Sequence, residues 1–90
     1  MDNSINEILK EACLIDCRCD RNSKDEDLLG IHESVTKLWS VVRQGRDRED
    51  IERRAANTVI GCLITAGHLG IKDMEGVLRA RIEELKKELA

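Results

Sequence analysis

The 90 residues contain no proline, phenylalanine or tyrosine, and only one tryptophan, Trp39. Without proline, nothing in the chain forces a helix to break. With so few rings the core has to be aliphatic, and there is no row of aromatics on which single-stranded nucleic acid could stack. A basic surplus is missing too. The formal net charge is −3, the wrong sign for a dedicated nucleic-acid surface. No apolar run reaches the roughly 18 residues of a membrane span. The opening MDNSINEILK lacks the basic-then-apolar pattern of a signal peptide. A cytoplasmic protein with no membrane partner is therefore expected. In that compartment Cys13, Cys17, Cys19 and Cys62 are expected to be free thiols.

The common catalytic signatures are absent as well. There is no Gly-x-Ser-x-Gly elbow, phosphate-cradling loop or dinucleotide fingerprint. The acidic stretch Asp20 to Asp27 fails as a calcium loop: its fifth and sixth positions hold Lys24 and Asp25, where a ligand and a glycine are needed. Cys13, Cys17 and Cys19, even with His32, have a spacing that fits no closed structural zinc site. His32 and His68 stand alone and read as surface or structurally satisfied side chains. The segment RQGRDREDIERR interleaves its arginines with Asp47, Glu49, Asp50 and Glu52, the pattern of a salt-bridged helix start.

What remains is helical periodicity with clear stops and starts. Four helices are predicted, over about 4–18, 24–44, 47–69 and 73–89, in a single all-α domain covering 1–90. Ser4 with Glu7, and Ser23 with Glu26, have capping-box spacing. Asp47 and Asp73 are placed to start the last two helices, and Gly45 and Gly70 to close the middle two. The apolar stripes are Ile5, Ile8, Leu9, Ala12 and Ile15; Leu28, Ile31, Val35, Leu38 and Val42; Ile51, Ala55, Val59, Cys62, Ala66 and Leu69. In the last helix Ile71, Met74, Leu78, Ile82, Leu85 and Leu89 follow steps of three and four. Glu83 and Lys87 have i,i+4 spacing there. The short turns imply antiparallel neighbours, with the second and third helices central and the fourth packed along them. So much apolar edge on a short chain implies a homodimer.

Arg54 and Asn57 stand out, because they share one face of the third helix beside its apolar stripe. From Ile31 onward, GRDREDIERRAANTVIGCLITAGHLGIKDMEGVLRARIEELKKEL resembles the MazG-like all-α nucleotide pyrophosphohydrolases. The likeness lies in the glycine followed by "DRE", the "LGI" ending of the long helix and the "LRARIE" of the last. It covers about two-thirds of the chain, and it implies a four-helix bundle that dimerises. In that family Glu-Glu-x-x-Glu on the second helix and Glu-x-x-Asp on the third hold magnesium, which binds a triphosphate and activates water.

Carried onto this chain, the first motif falls on Glu33, Ser34, Val35, Thr36 and Lys37, and the second on Arg54, Ala55, Ala56 and Asn57. Glu33 alone of the five acids is kept. The resemblance thus implies a catalytically degenerate member, with Glu33 the one remaining metal-ligand candidate and no confident catalytic residue. Two arrangements follow for this edge: a salt-bridged seam, with Glu33 paired to Lys37 and reached by Arg54, or a metal-free anion site built from Lys37, Arg54 and Asn57. No cofactor is expected unless the enzyme survives, in which case it is magnesium. The alternatives are an active nucleoside triphosphate pyrophosphohydrolase with a rearranged metal site, and a small regulatory helical dimer.

Overall fold

A computed structural model describes residues 4–16 and 24–90. The described residues form four α-helices and no strand: α1 (Ser4–Asp16), α2 (Lys24–Arg43), α3 (Arg48–His68) and α4 (Met74–Leu89). The all-α class is as expected, and the helix ends agree with the sequence reading to within a residue wherever they are described. Positions 17 and 18 of the first predicted helix, the Ser23 capping site, and Cys17 and Cys19 lie outside the described residues.

The helix ends show why the sequence signals worked. Asp47 Oδ1 accepts from the Asp50 N–H at 2.9 Å, and Asp73 Oδ1 accepts from the Gly76 N–H at 3.1 Å. Each side chain satisfies an N–H that the first turn leaves without a partner. Gly45 and Gly70 take φ of 67° and 88°, where a β-carbon would be strained. Beyond α2, Gly45 N–H donates to Val42 O and Arg46 N–H to Val41 O. Beyond α3, Gly70 N–H donates to Gly67 O and Ile71 N–H to Ala66 O. These are two Schellman closures. The start of α3 is salt-bridged as read, with Arg46 and Arg53 both on Asp50 and Arg48 on Glu52.

α2 and α3 form an antiparallel hairpin, α1 packs on α3, and α4 packs on α1. The last contact corrects the expectation that the fourth helix lies along the central pair. Residues 79–89 of α4 are all exposed. Its outer ladder runs Arg79–Glu75, Arg81–Glu84 and Lys86–Glu83, so Glu83 pairs with Lys86 and not with Lys87.

The core is small. Leu9, Ala12, Val41, Leu63 and Ala66 are the buried apolar residues. Leu9, Leu63 and Ala66 form one cluster, flanked by Ile5, Cys13, Ile71 and Met74. Much of the predicted stripe lies outside it. Ile8, Ile15, Leu28, Val35, Val42, Val59, Cys62, Leu69, Ile82, Leu85 and Leu89 are exposed. Periodicity located the apolar side of each helix, but there are too few helices in one chain to cover all of those sides.

Two global measures agree. A folded monomer of 10.2 kDa is expected to show about 5,300 Å² of accessible surface, whereas this chain shows 7036 Å². Its radius of gyration is 14.7 Å, against about 12 Å for a compact domain of this length. Among the described residues no helix is long and apolar enough to cross a membrane.

Candidate functional site at the α2–α3 seam

The hairpin seam is built from Asp27, Ile31, Ser34, Leu38 and Val41 on α2, and from Ile51, Arg54, Thr58, Gly61 and Thr65 on α3. These positions recur every three or four residues, so they share one face of each helix, and all are partly or fully withdrawn from solvent. At Gly61 the helices face each other with room for a methyl group: a β-carbon there would sit 3.5 Å from Ile31 Cγ1, an ordinary contact. Thr58 and Thr65 turn their hydroxyls back onto Arg54 O and Gly61 O, at 3.1 and 3.0 Å. Both hydroxyls are therefore satisfied within α3 and impose no polar demand on the seam.

The five positions to which the MazG resemblance carries metal acids divide between the seam and its surroundings. Ser34 and Arg54 lie half-buried within it. Glu33, Lys37 and Asn57 are exposed. Among the described residues, no side-chain hydrogen bond or ion pair joins Glu33, Lys37, Arg54 or Asn57 to one another. The Glu33–Lys37 pair and the Arg54–Glu33 contact expected of a salt-bridged seam are thus not made. Arg54 instead buries its Nε, which has no hydrogen-bond partner among the described residues.

One carboxylate, one hydroxyl, two cations and an amide do not fit magnesium, which takes oxygen donors and favours anionic ones. Among the described residues no three His, Cys, Asp or Glu side chains come together as a metal-binding group.

At the other end of the hairpin the structure brings together residues that the sequence reading left apart. His68 Nδ1 lies 2.6 Å from Asp27 Oδ2, and the Asp27 side chain is only 6% exposed. His68 is therefore not isolated. It clasps the C-terminus of α3 to the first turn of α2. A cleft of about 220 Å³ opens beside the clasp, lined among others by Glu26, Gly30, Ser34 and Thr65. The two residues are 41 positions apart, so no local pattern announces the pair.

A second clasp joins α1 to α4. Asn6 Nδ2 donates to Asp73 Oδ1 at 2.9 Å, and Asn6 Oδ1 accepts from the Glu75 N–H at 2.9 Å. The Asn6 amide, followed by the Gly76 N–H, holds the Asp73 carboxyl below its ordinary value, with slight burial opposing. On the outer side of α2 the Arg43 guanidinium sits 4.8 Å from the centroid of the exposed Trp39 ring.

Comparison with family models, curated proteins and solved structures returns no match for this chain.

Proposed function

We propose that the chain is a MazG-like helical bundle whose metal cage has been lost, and that it acts as a cytoplasmic homodimer by binding and not by hydrolysis. The ligand is a nucleotide-like anion held at Arg54. The buried, unpartnered Nε of Arg54 is the observation that supports this reading. A buried donor left without an acceptor costs about 1–3 kcal/mol. The closed seam seals this atom from solvent, and a phosphate oxygen admitted as the hairpin loosens removes that cost through a charge-assisted bond. The guanidinium fork suits such an oxygen better than an ammonium does. Lys37 and Asn57 remain in solvent at the edge of the seam, where a second cation and an amide donor can complete the contact.

Titration calorimetry with nucleoside triphosphates and with pyrophosphate, on wild type and Arg54→Gln, tests this. Binding without pyrophosphate release, weakened at least tenfold (about 1.4 kcal/mol) in Arg54→Gln at unchanged helicity, is the expected result. Magnesium-dependent release above a Glu33→Gln control would replace it with the active pyrophosphohydrolase. No binding of either ligand would leave a protein-binding regulatory dimer, the reading favoured by the surface area that this chain leaves uncovered.

A further inference from the structure

We propose that the cleft between α1 and the turn joining α3 to α4 binds one amphipathic anion. Its unbranched alkyl chain lies on the apolar walls, and its single anionic head group sits between Lys10 and Lys72. This site is separate from the one at Arg54 and does not depend on it.

One wall is a strip of α1. Leu9, Lys10, Cys13 and Leu14 line it, at positions i, i+1, i+4 and i+5, and so along one side of the helix. Gly67, Ile71 and Lys72 line the other. Gly67 comes two residues after Thr65 of the α2–α3 seam, about 200° around the helix, so this cleft opens away from that seam. Arg54 lies about 20 Å back along α3.

Both walls are fixed in place by the chain itself. The Ile71 N–H donates to Ala66 O at 3.0 Å. Asn6, one turn before Lys10 on α1, bonds Asp73 and the Glu75 N–H, which ties the turn to the strip.

Size and charge then say what fits between them. The cleft holds about 410 Å³, towards the lower end of the range of about 300–1,000 Å³ for small-molecule sites. Its floor is continuous with the core, because Leu9 belongs to the buried cluster and Cys13 and Ile71 flank it. Leu14 is 70% exposed at the rim, apolar surface that a bound chain would cover. The charged groups are both cations. Lys10 and Lys72 are exposed, and among the described residues neither ammonium makes an ion pair. No Asp or Glu is among the described residues lining the cleft, and the neighbouring Asp73 is engaged by Asn6 and the Gly76 N–H. Each lysine can lay its stem on the apolar wall and keep its ammonium in water. Such a site selects an apolar body with one negative end.

Titration calorimetry of the full chain with octanoate and decanoate, below their micelle concentrations, tests this. One molecule per chain is expected, with decanoate about fifteenfold tighter for its two further buried methylenes. Decyltrimethylammonium, the same chain with a cationic head, should bind at least about tenfold more weakly than decanoate. Lys10→Glu and Lys72→Glu should each weaken decanoate at least about fivefold, since attraction at the surface becomes repulsion of similar size. Lys87→Glu, the same change of exposed charge near the far end of α4, should leave decanoate binding as it is. Several molecules per chain, no preference for the anionic head, or equal binding by all three variants would overturn the site. Binding to phosphatidylglycerol vesicles without binding to decanoate would make this a membrane contact and overturn it as well.

Discussion

Two glycines of α3 make the packing measurable, because an added methyl group should act with opposite signs at each. Removing a glycine from a helix interior in favour of alanine gains about 1 kcal/mol from backbone entropy. At Gly61 the new β-carbon meets only Ile31 Cγ1, at 3.5 Å, an ordinary contact, so the gain survives. At Gly67 it would fall inside Cys13 Sγ, with Leu9 Cδ2 3.5 Å away. Cys13 sits on a helix, where one of its three χ1 rotamers is largely barred, and its sulfur packs beside the core cluster. Relieving the overlap should cost about 1–3 kcal/mol, leaving Gly67→Ala destabilised by up to about 2 kcal/mol after the same entropic gain. In a Cys13→Ala background the obstruction is gone, and Gly67→Ala should stabilise by about 1 kcal/mol. Thermal unfolding followed by circular dichroism at one fixed protein concentration resolves this, since a difference of 1 kcal/mol corresponds to about 4–8 °C in Tm for a domain of this size. If Gly67→Ala stabilises the chain equally with and without Cys13, the close α1–α3 approach is wrong.

The two clasps can be probed in the same way. His68→Leu leaves the enclosed Asp27 carboxylate without its ring N–H partner, and should cost about 1–2 kcal/mol in urea unfolding; a neutral result would show that the pair contributes nothing. Asn6→Ala removes the acceptor of the Glu75 N–H, a loss of about 0.5–1.5 kcal/mol. Asn6 also adds a pH dependence. Asp73 has its carboxyl lowered from 3.8, so the folded state binds that proton more weakly than the unfolded one. The resulting stability is fully present above 3.8 and is lost as pH falls through the lowered value. Thermal unfolding across that acid range should be steeper for wild type than for Asn6→Ala, and parallel curves would exclude the contact.

The helices were legible in the sequence because their punctuation is local. Asp47 and Asp73 cap within three residues of themselves, and Gly45 and Gly70 are needed where the backbone turns to positive φ. Burial was less legible. The stripe through Leu28, Val35 and Val42 shows which side of α2 is apolar, but a period of 3.6 residues does not say which neighbour covers it. The seam itself is centred one residue earlier, on a face that includes Asp27 and Ser34, because α3 meets that face with Gly61 and Thr65. Of the candidate site, Arg54 was visible as a cation beside an apolar stripe. Its missing partner was not, since the expected Glu33 contact depends on side-chain reach across two helices. The Asp27–His68 clasp was invisible, because it needs the whole hairpin to be closed.

The contact of Asn6 with Asp73 and Glu75 closes a loop across 67 and 69 positions of the chain, whereas the α2–α3 hairpin closes across a turn of a few residues. Closing a long loop costs more chain entropy than closing a short one, and the helix hairpin forms mostly local contacts. The hairpin should therefore assemble first on the folding route, with α1 and α4 joining it afterwards as a pair. In native-state hydrogen exchange the amides of those outer two helices should open together, below the global unfolding energy, while the hairpin stays closed.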